Sequence, residues 1–334
     1  MAISNHKKEQ IALVVIKVLY SRFKSFPSNE GLNRNAPFHE AFMQAFQGKL
    51  KGRVNNIPDI ISLSSWMHGL NTSLGQSFFE SVAHILCDGQ KRDFKSGNIY
   101  VKQQAAISDI MIDLKNGTEK PSLNREDEII AKNAKGTMQV ALNFTADCFY
   151  ESDDEVVAIE LKSVRPNSGE MRGEKQKILI GKAVLRGLYP DKNVKYLFGF
   201  PFDPTADTPT GYDKTRFLNY LVEAEKFIAH EDFLIADELW SYLSGSDNSM
   251  SEILEIINTI ATPEFMTKYN LLQDEKTKPQ DKRNILKEWL LTTEVKILDN
   301  VQYSTSNARI YNQQIFKKDG TYNTNRLRLL ETNN

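Results

Sequence analysis

The segment EVVAIELKSV (155–164) is typical of a buried β-strand, yet it carries Glu160 and Lys162 among its apolar residues. Side chains two residues apart in a strand point to the same face, so both charges share one face while the opposite face carries Val157, Ile159 and Leu161. A strand that is apolar on both faces is covered on both sides of its sheet. Burying a charge there costs several kcal/mol unless the charge is paired or bound to an ion, so this strand predicts a charged site inside the core.

The elements around this strand predict a mixed α/β (α+β) fold. MQVALNFTADCFY (138–150) is a second strand, joined to the first by the acidic turn ESDDE. GEKQKILIGKAVLRGLY (173–189) has a helical period, and the apolar strand VKYLFGFPF (194–202) follows it. The order strand–turn–strand–helix–strand predicts a central mixed β-sheet with a crossover helix on one face.

The rest of the chain is predicted to be largely helical. The candidate helices are 9–23, 37–50, 71–87, 105–117, 214–230, 251–261 and 283–291. A polar loop is expected over 274–283, and a terminal β-hairpin is expected around Asp319-Gly320. We therefore expect an N-terminal helical region over 1–70, a core over 71–205 and a helical C-terminal region over 206–334, which can still pack as one continuous domain.

The composition is that of an ordinary globular protein of 334 residues, with 40% hydrophobic and 25% charged residues. Because the net charge is only −1, a polyanionic partner must bind through a local patch. The sequence has no apolar run long enough to span a bilayer and no signal-peptide pattern at its start. Cys87 and Cys148 form no CxxC pair, and the five histidines have no zinc-like spacing, so we expect a cytoplasmic protein with reduced cysteines.

Asp147 supplies a second acid next to the charged strand. It lies in the preceding strand, thirteen positions before Glu160, and the short turn between the strands brings the two carboxylates together. Two carboxylates on adjacent strands can bind a hard divalent cation such as Mg²⁺. Lys162 beside them can orient a water molecule and offset the negative charge that builds on a phosphate. This set predicts phosphodiester hydrolysis rather than glycoside hydrolysis, which requires no lysine and keeps one carboxyl group protonated.

The pattern Asp/Glu-x-Lys is weak by itself, because it occurs five times in the chain. The five pairs are Asp93–Lys95, Asp113–Lys115, Glu160–Lys162, Asp274–Lys276 and Glu294–Lys296. Only the Glu160–Lys162 pair combines an apolar strand, an upstream acid and a downstream basic segment. The context, and not the three-residue pattern, therefore singles out this pair.

A basic segment follows the charged strand. Between Lys162 and Arg186 there are seven Lys or Arg residues and two Glu. A local excess of positive charge next to a metal site is where a nucleic-acid backbone would lie. The predicted DNA contacts are four loop residues and three residues on one face of the following helix, namely Arg165, Asn167, Ser168, Arg172, Lys175, Lys182 and Arg186. The alternative is an ordinary solvated helix face.

The run ADCFYESDDEVVAIELKS (146–163) resembles the PD-(D/E)xK nuclease motif. The longer run AIELKSVRPNSGEMRGEKQKIL (158–179), followed by YLFGFPFDP (196–204) and DELWSYLSG (237–245), is similar to type II restriction endonucleases of the TdeIII kind. Ala146 stands where the motif has a proline.

This resemblance implies a restriction-endonuclease-like core in which helices flank a central mixed sheet, with helical additions at the N- and C-terminal ends. It implies a homodimer that uses Mg²⁺ to cut double-stranded DNA at a short palindrome such as GGNCC, leaving 5′-phosphate and 3′-hydroxyl ends. A companion DNA methyltransferase is also implied. On this sequence the resemblance assigns Asp147 and Glu160 as metal ligands and Lys162 as the catalytic lysine.

The helix that precedes the sheet contributes a further candidate. In many enzymes of this fold a glutamate on the first core helix faces the metal, and Glu80 interrupts an apolar run in LGQSFFESVAHIL. The alternative for Glu80 is an exposed helix position. His84 in the same helix is predicted to be a packed histidine rather than a ligand.

The terminal hairpin carries side chains suited to contacts with bases or phosphates. They are Arg309, Asn312, Gln313, Gln314, Lys317, Lys318, Arg326 and Arg328. The alternative is a solvated surface hairpin.

Three functions remain open at this stage. The first is a site-specific endodeoxyribonuclease, and the second is a structure-directed or repair nuclease of the same fold. The third is a DNA-binding module without catalysis, in which the carboxylates only balance neighbouring bases.

Overall fold

In the computed structural model, the charged strand lies in a five-stranded β-sheet of order β1–β4–β5–β6–β7. These strands are β1 Gln90–Phe94, β4 Phe144–Glu151, β5 Glu155–Leu161, β6 Asn193–Phe200 and β7 Phe233–Ile235. The pairs β1–β4 and β4–β5 are antiparallel, and the pairs β5–β6 and β6–β7 are parallel, so the predicted mixed sheet is confirmed. A separate two-stranded sheet pairs β2 Asn98–Tyr100 with β3 Met138–Val140.

The structure describes residues 2–27, 37–46, 50, 57–162, 168–300 and 312–331. The chain forms two compact units, each built from segments that are distant in sequence. Met1–Ser4 and Phe79–Leu254 form the unit that contains the sheet, and Asn5–Phe78 and Glu255–Asn334 form the other. The boundaries of these units do not coincide with those of the three successive regions predicted from the sequence.

Helices connect and cover the strands. In the unit with the sheet they are Phe79–Cys87, Val101–Asn116, Leu123–Lys132, Ser168–Leu188, Lys214–Tyr220 and Asp237–Ser244. In the other unit they are Asn5–Lys24, Pro37–Met43, Ile57–Ser73, Phe265–Gln273, Pro279–Glu288, Thr292–Asn300 and Arg328–Glu331. A further helix is Ser249–Ile260. Among the described residues, no helix has both the length and the apolar character needed to cross a membrane.

Strand β5 is buried on both faces, as its sequence predicts. Its residues from Val156 to Ile159 are fully buried, and Glu160 is only 3% exposed. On the face of Glu160, the helix Ser168–Leu188 packs so closely that a Cβ at Gly181 would lie 2.5 Å from the ring of Tyr196. On the opposite face, Cys148 of β4 lies 3.4 Å from Cys87, Sγ to Sγ, at the end of the helix Phe79–Cys87.

Two local predictions are wrong in their boundaries. The strand predicted over 138–150 is two strands, because Met138–Val140 pairs with β2 and only Phe144–Glu151 joins the central sheet. The crossover helix predicted from residue 173 begins at Ser168, so the backbones of Ser168 and Arg172 are helical rather than in a loop.

Other elements were missed or misjudged for identifiable reasons. Strand β1 was missed because only Phe94 of its five residues is buried, so its sequence lacks an apolar pattern. The helix predicted over 214–230 is α-helical only as Lys214–Tyr220. The predicted polar loop over 274–283 ends early, because Pro279 begins a helix at a position that tolerates proline well.

The predicted DNA-contacting stripe of Lys175 and Lys182 is wrong, because both side chains are buried. Lys175 Nζ lies 2.7 Å from Glu126 Oε2 and 2.6 Å from Asp232 Oδ2, so two acids surround it. Burial opposes the charge of Lys175, but Asp232 and Glu126 outweigh burial and raise its pKa. This helix face points to the interior, where the positive charge of Lys175 pairs with buried acids and stabilises the fold.

Asp127 pairs with the last two basic residues of the same helix face, Lys182 and Arg186. Lys182 Nζ lies 3.3 Å from Asp127 Oδ1, and Arg186 Nη2 lies 2.8 Å from Asp127 Oδ2. Burial lowers the pKa of Lys182, and Asp127 offsets that effect only in part. Arg186 is half-buried and also donates to the backbone oxygen of Asp127, so it too is held by the protein itself.

The terminal hairpin is confirmed around Asp319-Gly320. Phe316 and Tyr322 form its antiparallel bridge, and Gly320 occupies the left-handed region with φ 82°. Its Lys317 and Lys318 are exposed.

The expectation that Arg326 contacts DNA bases is wrong. Its side chain is buried, with Nη2 2.7 Å from Glu294 Oε2 and Nε donating to Glu294 Oε1 at 2.8 Å. A guanidinium that is buried and held by Glu294 and by the backbone oxygen of Gln313 cannot reach the edge of a base.

We predict that Lys175→Met destabilises the protein strongly, because Glu126 and Asp232 would remain buried without their counter-charge. Removing one partner of a buried ion pair typically costs about 3–5 kcal/mol. The free energy of unfolding in urea, followed by far-ultraviolet circular dichroism, measures this loss. The matched control is Lys226→Met, whose exposed pair with Glu223 is worth less than about 1 kcal/mol. Equal losses in the two variants would contradict the assignment.

Candidate active site

The antiparallel pairing of β4 and β5 brings the two predicted acids together. Cys148 lies opposite Ile159, and continuing this register by one residue places Asp147 opposite Glu160. Opposed residues of an antiparallel pair share a face, so both carboxyl groups project to the same side of the sheet. The backbone N–H of Leu161 donates to Asp147 Oδ2 at 3.1 Å, which ties the aspartate to the strand that carries the glutamate.

Lys162 directly follows β5 and joins this cluster. Its backbone N–H donates to the oxygen of Gly199 at 3.0 Å, which extends the pairing with β6 by one residue. Its Nζ lies 3.0 Å from Glu160 Oε1 and 2.8 Å from Glu174 Oε1. The structure therefore brings Asp147, Glu160 and Lys162 together, as the strand pattern predicts.

The crossover helix adds two residues that sequence reasoning missed. Lys177 Nζ lies 2.6 Å from Glu160 Oε1 and 2.6 Å from Glu174 Oε2. Together with the two contacts of Lys162, these distances close a ring of alternating acids and lysines, which we call the four-charge ring: Glu160, Lys162, Glu174 and Lys177. The available signal was the i, i+3 spacing of Glu174 and Lys177 on a helix that must pack beside β5.

On the other side of the cluster, Lys91 of β1 links two acids. Its Nζ lies 3.3 Å from Asp147 Oδ1 and 3.2 Å from Glu80 Oε1. Glu80 is therefore in the neighbourhood of Asp147, as predicted, but a lysine stands between them. Lys91 gave no sequence signal, because the polar strand that carries it was itself missed.

His84 fixes the backbone of the aspartate. Its Nε2 lies 2.7 Å from the backbone oxygen of Asp147, so this ring nitrogen is the donor. The prediction that His84 is a packed histidine rather than a ligand agrees with this contact.

The electrostatics of the cluster follow from burial and close pairing. Burial, and then the charge of Asp147, raise the pKa of Glu160 to about 6, although Lys162 and Lys177 oppose the shift. Burial opposes the charge of Lys162, but Glu160 and Glu174 raise its pKa above the ordinary value. Burial would raise the pKa of Glu174 as well, yet hydrogen bonds from Lys162 and Lys177 lower it. At neutral pH Lys162 is therefore an ammonium ion.

The acids at this site fit a divalent cation in part. Within the described residues, no three or more His, Cys, Asp or Glu side chains are placed together as a ready metal cage. However, Glu160 Oε2 is buried and accepts no hydrogen bond from the described residues. Mg²⁺ in proteins is commonly held by one or two carboxylates, with water and substrate oxygens completing its shell. Asp147 and Glu160, on facing strands and with one oxygen unpartnered, match that ligand set.

The predicted DNA contacts divide into three groups. Arg165 and Asn167 lie outside the described residues, as does the side chain of Ser168. Arg172 is exposed on the first turns of the crossover helix. Lys175, Lys182 and Arg186 are held by the internal acids described above.

Comparison with known proteins gives two matches. The sequence profile of the family "Type II restriction endonuclease, HinfI" matches residues 3–261. The type II restriction enzyme MjaII from Methanocaldococcus jannaschii is 41% identical over 367 aligned positions, which cover 100% of this chain and 99% of that enzyme. These matches name the type II class and do not bear on the narrower likeness to the TdeIII kind. The chain is therefore a member of the HinfI family of type II restriction endonucleases, that is, a site-specific endonuclease.

Proposed function

We propose that this endonuclease uses Mg²⁺ to hydrolyse phosphodiester bonds of double-stranded DNA at Asp147, Glu160 and Lys162, leaving 5′-phosphate and 3′-hydroxyl ends. The observation that carries the proposal is the register of β4 and β5, which opposes the two acids, with Lys162 bound to the buried one. This arrangement supports hydrolysis better than simple charge balance, because Glu160 Oε2 is buried and accepts no hydrogen bond from the part of the chain that the structure describes.

Each residue has a role that follows from its contacts. Asp147 and Glu160 would hold the metal, and Leu161 and His84 already fix the side chain and backbone of Asp147. When bound there, a divalent cation would supply positive charge to the scissile phosphate and acidify a water molecule. Lys162 is an ammonium ion at neutral pH, so it contributes charge and hydrogen bonds rather than acting as a base.

We propose an outer role for Glu80 rather than direct metal binding. Both of its oxygens lie 3.2 Å from Lys91 Nζ, so its charge balances that lysine. Lys91 in turn contacts Asp147 at 3.3 Å. Glu80 would then keep Lys91 from pairing fully with Asp147.

DNA contacts are proposed separately in each unit, from residues that remain available at its surface. In the unit with the sheet, Arg172 is exposed where the crossover helix begins, and in the other unit Lys317 and Lys318 are exposed on the terminal hairpin. We include Arg165, Asn167 and Ser168 among these contacts because of their donors and their position directly after Lys162 in the sequence. Lys175, Lys182 and Arg186 are left out.

The biological setting is proposed from the resemblance and the family. A palindromic target such as GGNCC would be cut by a homodimer, because a two-fold axis relates the two strands of a palindrome. A companion DNA methyltransferase would protect the host genome, and the enzyme would act in the cytoplasm. Membership of a type II restriction endonuclease family favours this function over a repair nuclease or a non-catalytic DNA-binding module.

Digestion of plasmid DNA tests the proposed function. With Mg²⁺ we expect discrete fragments whose sequenced ends share one short palindrome and carry 5′-phosphates. A smear, or cutting confined to branched or damaged DNA, would support the repair nuclease instead. Binding without any cleavage in the presence of a divalent cation would support the non-catalytic module.

We predict that Asp147→Ala and Glu160→Ala each abolish cleavage while DNA binding survives, because they remove metal ligands and no DNA-contacting cation. Lys162→Ala should lower the single-turnover rate by several orders of magnitude, since it removes charge stabilisation at the reacting phosphate. Fragment yield on gels and binding of labelled DNA measure the two properties separately. Asp153→Ala, in the exposed turn between the strands, is the matched control and should cut normally. Cleavage by Glu160→Ala at the normal rate would refute the site.

We predict that the Mg²⁺ requirement rises in acid. The pKa of Glu160 is raised to about 6 in the metal-free site, so below that pH a metal must displace a proton. The Mg²⁺ concentration for half-maximal cleavage should therefore increase by about tenfold per pH unit below the pKa and stay flat above neutrality. Initial cleavage rates titrated with Mg²⁺ at constant ionic strength measure this. An acid loss of rate that excess Mg²⁺ does not restore would contradict proton competition at Glu160.

A further inference from the structure

The four-charge ring divides its contacts unevenly between its two acids. Glu160 uses a single oxygen, Oε1, for both lysines, at 3.0 Å to Lys162 and 2.6 Å to Lys177. Glu174 uses one oxygen for each lysine, Oε1 for Lys162 at 2.8 Å and Oε2 for Lys177 at 2.6 Å. Glu160 Oε2 is therefore nearest to neither lysine and can face another cation, whereas each oxygen of Glu174 contacts one ammonium group.

The uneven contacts matter because two positively charged groups, those of Lys162 and Lys177, share Glu160 Oε1. The ammonium groups of Lys162 and Lys177 repel each other, and the partly buried setting screens that repulsion less than water would. A metal bound at Glu160 would draw charge away from Oε1 and weaken its hold on both lysines. Glu174 is the group that can keep both lysines in place when this happens.

Lys177 is also the more accessible of the two lysines. Its side chain is 26% exposed, against 13% for Lys162. It lines a cavity of about 220 Å³ together with Asn143, Gly173 and Gln176. Lys177 can therefore withdraw from Glu160 toward this cavity without crossing the core.

We propose that Glu174 and Lys177 are positioning residues of the active site. Glu174 holds the ammonium groups of Lys162 and Lys177 beside Glu160, and Lys177 competes with the metal for Glu160. The proposal rests on the proposed metal site at Asp147 and Glu160. It assigns opposite effects to the two residues of the pair. Loss of Lys177 removes a competing cation from a metal ligand, whereas loss of Glu174 removes a negative charge and releases both lysines onto Glu160.

Metal binding in the absence of DNA tests this assignment without relying on activity. We expect calorimetric titration with Mn²⁺ to show tighter binding by Lys177→Met and weaker binding by Glu174→Gln. Partners of metal ligands typically change metal affinity or activity by about 10–100-fold, and we expect shifts at the lower end of that range. The double variant should bind with an affinity between those of the two single variants, because it lacks both the competing cation of Lys177 and the negative charge of Glu174.

Cleavage rates provide the second measurement. At saturating Mg²⁺, Glu174→Gln should lower the single-turnover rate by about 10–100-fold because Lys162 loses its fixed position, while the Km for DNA changes little. The matched controls are Glu128→Gln and Lys132→Met, both exposed on the helix Leu123–Lys132, which should match the wild type in metal affinity and rate.

The outcomes separate this inference from the proposed function. Opposite shifts in Mn²⁺ affinity for the two single variants, with the intermediate double variant, support the ring as a positioning device. Shifts in the same direction, reversed shifts or affinities within twofold of the wild type overturn it, and a purely structural role would give one of these. If Glu160→Ala binds Mn²⁺ as the wild type does, the proposed metal site itself fails.

Discussion

The structure depends on a carboxylate that is buried in the middle of a sheet. Glu160 belongs to a strand covered on both faces, where an uncompensated charge would cost several kcal/mol. Its environment does not neutralise it completely: burial and Asp147 raise its pKa while two lysines oppose the shift. Oε1 is the oxygen nearest to both lysines, and Oε2 is buried and accepts no hydrogen bond from the described residues. A buried carboxylate with an oxygen that accepts no hydrogen bond can coordinate a cation through that oxygen.

The rest of the sheet unit positions groups around that acid. Antiparallel pairing sets Asp147 opposite it, and the last hydrogen bond to β6 sets the direction of Lys162. The crossover helix reaches the site because Gly181 lets it approach Tyr196, which brings Glu174 and Lys177 against β5. Lys175 and Lys182 of the same helix are buried against Glu126, Asp232 and Asp127, and Arg186 pairs with Asp127. The helix thus carries one set of charges for the fold and another for the site.

The sequence predicted the parts of this arrangement that follow from alternation along a strand. Asp147, Glu160 and Lys162 were found because a strand fixes which residues share a face, and a short turn fixes the register. Lys175 and Lys182 were misassigned because helical spacing shows which residues lie on one face but not whether that face points inward. Contacts that join distant segments, such as Lys91 with Asp147, leave no local pattern at all.

Anomalous diffraction from Mn²⁺ in crystals of the Lys162→Ala variant with uncut target DNA would locate the proposed ion. We expect one ion in contact with a carboxylate oxygen of Asp147, a carboxylate oxygen of Glu160 and an oxygen of the scissile phosphate. An ion bound elsewhere beside that phosphate, with Glu160 still occupied only by lysine, would contradict this expectation.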